Sequence, residues 1–200
     1  MVLNELKLFQ FRCYSGIHLR PHPKFNSFIG QNGQGKTSLL EAIGMLGTLQ
    51  SFRHAKTEEL LMFNCNEAHI SGKISNEQLN FNLEVKIYPH RKRATLNQKF
   101  CRFLQEYINK VAVVSFSPND LEIIRGEPTF RRSWIDRVSQ IYFCHHIDSL
   151  SHYKKILEQR NKLLRLMAEG SLNLLPKDFE IWTEELIKEG SKIFLNRLLV

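Results

Sequence analysis

The sequence predicts an α/β fold: a mixed sheet gathered around a phosphate-loop helix, followed by a helical lobe. Three observations predict it. Gly30 to Thr37 read G-Q-N-G-Q-G-K-T, framed by the apolar run Phe25 to Ile29 and the helical pattern Ser38 to Leu46. Short apolar/polar alternations on either side of that loop have the period of two expected of strands. From Ser149 onward, apolar residues recur every three or four positions with Lys and Arg between them, as in amphipathic helices.

Each element follows from its residues. Leu6, Leu8 and Phe11 alternate with polar neighbours and read as a first strand, with a turn at Arg12 to Gly16 and a second strand at Ile17 to Arg20. Pro21-His22-Pro23 breaks it, because proline donates nothing to a ladder. Phe25 to Ile29 reads as a short core strand and Thr37 to Leu49 as the helix that the loop opens. Ser51 to Thr57 is a polar loop, and Glu58 to Phe63 a short helix or edge element. Ala68 to Ile74 and Phe81 to Ile87 form an expected antiparallel pair, turning at Asn76 and Glu77. Ala94 to Leu96 is a further short strand. Val111 to Phe116, apolar and β-branched throughout, reads as an interior parallel strand. Asp120 is expected to cap a short helix, Gly126 and Pro128 to mark a turn, and Phe130 to Ser139 to resume helical spacing. Gly170 and Pro176 bracket a break before a last helix, Phe179 to Val200. Residues 1–135 are thus assigned to the nucleotide-binding half and 136–200 to the helical lobe.

The loop carries the clearest chemistry. It satisfies G-x-x-x-x-G-K-[ST], and a strand before and a helix after are the context in which that string binds phosphate. Backbone N–H groups of Gly30, Gln31, Asn32, Gly33, Gln34 and Gly35 turn inward around the anion, and the helix points its positive end at it. Gly30, Gly33 and Gly35 permit that close approach, while Asn32 and Gln34 are expected to act through their backbone. Lys36 is placed to reach the β- and γ-phosphates, and the Thr37 hydroxyl to bind Mg²⁺. The ligand implied is a nucleoside triphosphate, ATP with Mg²⁺.

Composition narrows the class. An apolar fraction of 42% and a charged fraction of 24% are ordinary for a globular protein. No apolar stretch approaches a membrane-spanning length, and the alternating N-terminus does not resemble a secretory signal, so a cytoplasmic protein with no membrane partner is expected. Cys13, Cys65, Cys101 and Cys144 are scattered, which favours free thiols over zinc or disulfides. A net charge of +8 suits an anionic polymer. The basic residues cluster, most densely at Lys154, Lys155, Arg160, Lys162 and Arg165, where one helical face could track a phosphate backbone.

Several blocks carry a family resemblance. The strand L-K-L-F-Q-F-R-C-Y, the loop F-I-G-Q-N-G-Q-G-K-T-S-L-L-E-A-I and the following S-F-R-H are similar to the SMC-like group of ABC-type ATPases. Val113 to Asp136, with S-P-N-D-L and R-R-S-W-I-D, and His152 to Leu164, with Q-R-N, resemble the RecF family of bacterial recombination mediators. The resemblance implies an ABC-type head with an inserted helical lobe and an ATP-gated DNA clamp. In it, ATP binding assembles a homodimer across paired nucleotides and a weak DNA-stimulated ATPase acts as a switch. It also implies partners: single-stranded, gapped or junction DNA, and other mediator proteins, in loading a recombinase during replication, repair and the SOS response.

The resemblance assigns further residues. Arg12 matches an arginine that approaches the nucleotide, and Arg53 and His54 match positions facing DNA or nucleotide. From the charge pattern rather than the resemblance, Lys154, Lys155 and Arg160 are the candidate DNA contacts on the helical lobe. Glu41 is as readily a helix-face residue as a functional one. Ser117 to Asp120 fall where related heads sense the γ-phosphate, and Arg131, Arg132 and Asp136 suggest an ion-pair network between lobes. The family's signature loop and Walker B strand have no counterpart here: no S-x-G-Q string exists, and Glu58-Glu59 and Glu184-Glu185 follow no apolar strand. No catalytic residue is therefore assigned. The alternative is an N-terminal fragment that binds nucleotide or DNA without hydrolytic cycling. A transporter's nucleotide-binding subunit would need a glutamine loop and a signature loop, and a small-molecule kinase a lid or acceptor site; neither set is visible.

Overall fold

Six strands form one sheet in the order β2-β1-β3-β4-β5-β6: β1 (Val2–Phe11), β2 (Tyr14–Leu19), β3 (Ala68–Ser75), β4 (Asn80–Tyr88), β5 (Arg91–Leu96) and β6 (Lys99–Phe100). The structure is a computed structural model and describes residues 1–76, 78–102, 105–108, 110–170 and 176–200. Every ladder among them is antiparallel. Glu77, expected at the β3–β4 turn, lies outside the described residues; Asn76 accepts there from the amides of Gln78 and Leu79. The register sets one apolar row across five strands, since Leu8 faces both Ile17 and Ile70, Ile70 faces Val85, and Val85 faces Ala94. A period of two puts those side chains on a single face.

Helix α1 (Lys36–Thr48) covers that face. Leu39, Ala42, Met45 and Leu46 recur at helical spacing and are all buried. Each large apolar side chain so buried contributes about 1.5–3 kcal/mol. A 3₁₀ turn at Glu58–Leu60 closes the edge of the core with Leu60, and a short helix α2 (Gln105–Ile108) adds the buried Tyr107.

Two expected strands do not form. Phe25 to Ile29 pairs with nothing among the described residues, and Phe25 and Ile29 are 77% and 92% exposed. Val111 to Phe116 begins in the core, where Val113 packs so closely on α1 that a Cβ on Gly47 would stand 2.3 Å from Val113 Cγ2. Beyond it, Val114 and Phe116 are exposed. The reason is physical: an apolar run becomes a strand only when a neighbour supplies its ladder partners, and none lies beside either segment among the described residues.

Met1–Asp120 and Leu121–Val200 are two compact units. Before the boundary, Asp120 Oδ2 accepts from both the Ser117 amide (2.6 Å) and the Ser117 hydroxyl (2.9 Å), at the start of the 3₁₀ turn Pro118–Leu121. Asp120 thus lies inside that turn and reaches back to Ser117 rather than preceding a helix as its cap. The second unit comprises α3 (Glu122–Arg125), α4 (Pro128–Tyr142), α5 (His146–Ala168) and α6 (Pro176–Leu198), the last two packed as a hairpin around Ile156 and Ile193.

Asp136 ties three helices of this unit together. From α4 it accepts from Arg197 of α6 through Nε (2.7 Å) and Nη2 (2.9 Å), and it bonds His146 Nε2 of α5 at 3.0 Å. The fully buried His146 reaches Asn196 of α6 with its other ring nitrogen, 3.1 Å away. The expected network between lobes thus gives way to one inside the helical unit, and Arg131 instead donates to the carbonyls of Gly126 and Ile123.

Burial pushes the Asp136 carboxyl upward, but the bonds from Arg197 and His146 outweigh it and hold the group below its usual range. A depressed carboxylate stabilises the fold fully above its unfolded value of about 3.9, and that share is lost as pH falls through the folded pKa. Asp136→Asn is expected to cost about 2 kcal/mol at pH 7 and less at pH 3. Urea melts followed by helical circular dichroism at the two pH values check this; an equal cost at both would refute the linkage.

Candidate functional site

The phosphate loop emerges where α1 begins, because Gly33 and Gly35 take backbone angles that other residues resist, φ 82° and 93°. Gly35 is doubly constrained. A Cβ there would stand 2.6 Å from Cys13 Sγ and 2.8 Å from the Tyr14 hydroxyl, so the loop lies directly on the β1–β2 turn. Burial pushes the Tyr14 phenol above its usual range, so it stays protonated near neutrality. Gly30 is less confined, since a Cβ there would meet only the movable end of the Gln34 side chain. That side chain is not idle: Gln34 Oε1 accepts from the Gln31 amide at 3.1 Å, which holds the loop's shape.

Lys36 is the first residue of α1, and its ammonium donates to the carbonyls of Gly30 (2.7 Å) and Gln31 (2.6 Å). Thr37 follows, exposed at the helix start. The first-turn amides of a helix have no intrahelical acceptor, and α1 has no side-chain cap, so these donors face the cleft with the positive end of the helix dipole. The cleft encloses about 530 Å³ and is lined by Asn32 to Ser38 of the loop, by Arg12 and Cys13 of the β1–β2 turn, and by Arg53 and Glu59. Three cations and a ring of backbone N–H groups around one hollow suit a polyphosphate. Thr37 would offer a divalent cation one hydroxyl oxygen, with the phosphates supplying others.

Arg12 and Arg53 converge on one carboxylate. Glu41, in the second turn of α1, has no exposed surface. It accepts from Arg12 Nε (2.9 Å) and Nη2 (2.8 Å) and from the Ser51 hydroxyl, and Arg53 Nη1 stands 3.8 Å from its Oε2. Arg12 Nη1 donates to the Glu59 carbonyl at 2.6 Å. The Arg12 backbone is left-handed, φ 54°, and its amide donates to the Leu60 carbonyl. His54 also has a left-handed backbone (φ 56°), is exposed, and lies outside the cleft lining.

Of the helical-lobe candidates, Lys154 and Lys155 are exposed on α5. Arg160 is half-buried on the same helix, its guanidinium 4.4 Å from the centre of the Phe179 ring and 3.5 Å from Thr183 Oγ1. The loop and both arginines singled out in the sequence line this one cleft, while the weight of Glu41 and Ser51 was missed. The available signal was a carboxylate beside the apolar stripe of α1, in L-L-E-A-I.

Gly35→Ala is expected to weaken triphosphate binding at least tenfold, since the new methyl must displace Cys13 or Tyr14 and strain a left-handed backbone by about 1–2 kcal/mol. Titration with a fluorescent nucleotide checks it; unchanged affinity would show that the loop does not need this backbone shape.

Residues 2–133 match the family model described as "RecF/RecN/SMC N terminal domain". Among curated proteins, the chain is 34% identical to a DNA replication and repair protein RecF of Geobacter sp. (strain M21), over 99% of this chain and 54% of that protein. It is 36% identical to that of Alkaliphilus oremlandii (strain OhILAs), over 98% and 53%. The fold matches a solved structure described as that of the recombination mediator protein RecF-ATP in the RecFOR pathway, with a TM-score of 0.90, 29% identity and coverage of 98% of this chain and 52% of that one. A second, described as RecF-ATPrS, matches with a TM-score of 0.85. The chain spans about half the length of the curated relatives it matches.

Proposed function

The chain belongs to the RecF/RecN/SMC N-terminal domain family, and on that footing we propose that it is the ATP-binding part of a DNA replication and repair protein of RecF type. Its fold is the α/β P-loop head of the ABC type. The observation that carries the reading is the start of α1, where uncapped amides, Lys36, Arg12 and Arg53 border one cleft beneath a complete phosphate loop. The loop amides would hold the phosphates and Lys36 would exchange its two carbonyl partners for phosphate oxygens. Thr37 would bind Mg²⁺ that the nucleotide brings.

A test compares this chain with its Lys36→Ala variant by equilibrium binding of a fluorescent ATP analogue with Mg²⁺. The variant is expected to bind at least tenfold more weakly, a difference of about 1.4 kcal/mol or more. Equal affinity, or no binding by the parent chain, would refute the reading.

The further steps rest on the relatives. The resemblance supports binding to single-stranded, gapped or junction DNA, an ATP-dependent homodimer, action with other recombination mediators in loading a recombinase, and a cytoplasmic location. No helix among the described residues is long and apolar enough to cross a membrane. The exposed Lys154 and Lys155 are the favoured DNA contacts, with Arg160 anchoring α5 to α6 behind them. If so, Lys154→Glu with Lys155→Glu should flatten the plot of log affinity for single-stranded DNA against log salt by about 1.4, at about 0.7 per lost phosphate contact. An unchanged slope places the DNA elsewhere.

A second reading, binding without turnover, is favoured by one observation: Glu59 is the one carboxylate lining the cleft among the described residues. Hydrolysis needs an acid that holds the metal and orients water. ATP turnover by this chain, lost in the same Lys36→Ala variant, would eliminate it.

A further inference from the structure

Glu41 is a fully buried carboxylate on a helix whose other inward residues, Ser38 apart, are apolar or glycine, and phosphate binding by the loop does not itself call for it. Resting on the nucleotide reading above, we propose that Glu41 is a positioning residue that holds the guanidinium groups of Arg12 and Arg53 at the phosphate cleft.

Three chain segments meet at this one side chain. The β1–β2 turn delivers Arg12, which presents two donors to the carboxylate and a third to the Glu59 carbonyl. An arginine has five N–H donors, so the remaining pair stays available at the cleft wall. The loop after α1 delivers Ser51 and Arg53. The Ser51 hydroxyl donates to Glu41 while its oxygen accepts from the amides of Arg53 (3.0 Å) and Ala55 (3.4 Å), so the loop that carries Arg53 is tied to the same carboxylate. Arg53 itself stands farther off, at 3.8 Å, and is 44% exposed.

Charge explains why an acid is needed. Arg12, Arg53 and Lys36 border one hollow, and three cations drawn together repel one another and turn toward solvent. A buried carboxylate beneath two of them offsets that repulsion, yet it cannot compete for the nucleotide because it is below the cleft wall and fully engaged. Arg12 is gripped on both edges and forms a fixed donor, whereas Arg53 is loosely tethered and free to reorient onto an incoming phosphate. A group that only cemented the fold would serve equally well with its cations facing away from the cleft; here both line it.

The test is a set of nucleotide titrations on this chain, with melting temperatures alongside: wild type, Glu41→Gln, Arg12→Ala with Arg53→Ala, and the triple variant. Glu41→Gln should weaken binding of the fluorescent ATP analogue about tenfold in the wild-type background and less than about twofold when both arginines are absent. A loss of equal size in both backgrounds, or none in the first, overturns the proposal. Should Glu41→Gln not fold, Ser51→Ala serves instead. It is expected to weaken binding about threefold, and that effect should vanish when Arg53 is alanine; persistence of the effect refutes the positioning role. Lys36→Ala separates the two levels. If it weakens binding while Glu41→Gln and Ser51→Ala do not, only the positioning role fails. If wild type and Lys36→Ala bind alike or not at all, the nucleotide reading fails and this one with it.

Discussion

The rotational setting of α1 on the sheet is the constraint on which the rest of the first unit depends. Leu39, Ala42, Met45 and Leu46 must enter the core, which leaves the helix one orientation. That orientation aims its uncapped N-terminus at the phosphate loop and turns Glu41 toward the β1–β2 turn and the Ser51 loop. Anion binding at a helix start and ion pairing at its second turn are therefore consequences of the same apolar packing.

The helical unit solves a different problem. Its hairpin has few fully buried apolar side chains among the described residues, and a polar network from Asp136, His146, Asn196 and Arg197 joins α4, α5 and α6. Hydrogen bonds to charged groups contribute about 1.5–3 kcal/mol each, but they demand geometry that apolar packing does not. Such a network fixes which helix faces meet, and it makes that choice sensitive to acid.

Sequence patterns revealed what is local. Alternation located β1, β3 and β4 with their core residues, because a period of two is written along a single strand. The phosphate loop was legible for the same reason, its glycines and lysine being contiguous. Phe25 to Ile29 and Val111 to Phe116 were misread because strand formation belongs to a pair of segments, and apolar content describes only one. Asp120 was read as a helix cap rather than as a residue inside a turn, since Ser117 three residues earlier was not weighed as its partner. Glu41 stayed undecided between helix face and function because its partners lie 29 and 10 residues away, and nothing in L-L-E-A-I announces them. His146 carried no signal at all: one of two adjacent histidines at a helix start reads as surface until its neighbours are known.

The left-handed backbone at Arg12 sets main-chain preference against side-chain need. Glycine or asparagine would rest more easily at φ 54°, and either would relax a strain of about 1 kcal/mol. Neither could supply the fork that grips Glu41 and Glu59. Removing the arginine would also strip the fully buried Glu41 of its two-bond partner, a cost of about 3–5 kcal/mol that outweighs the strain relieved. The strained turn is therefore held open by the acid beneath it, and residue 12 serves the fold and the cleft through one and the same pair of bonds.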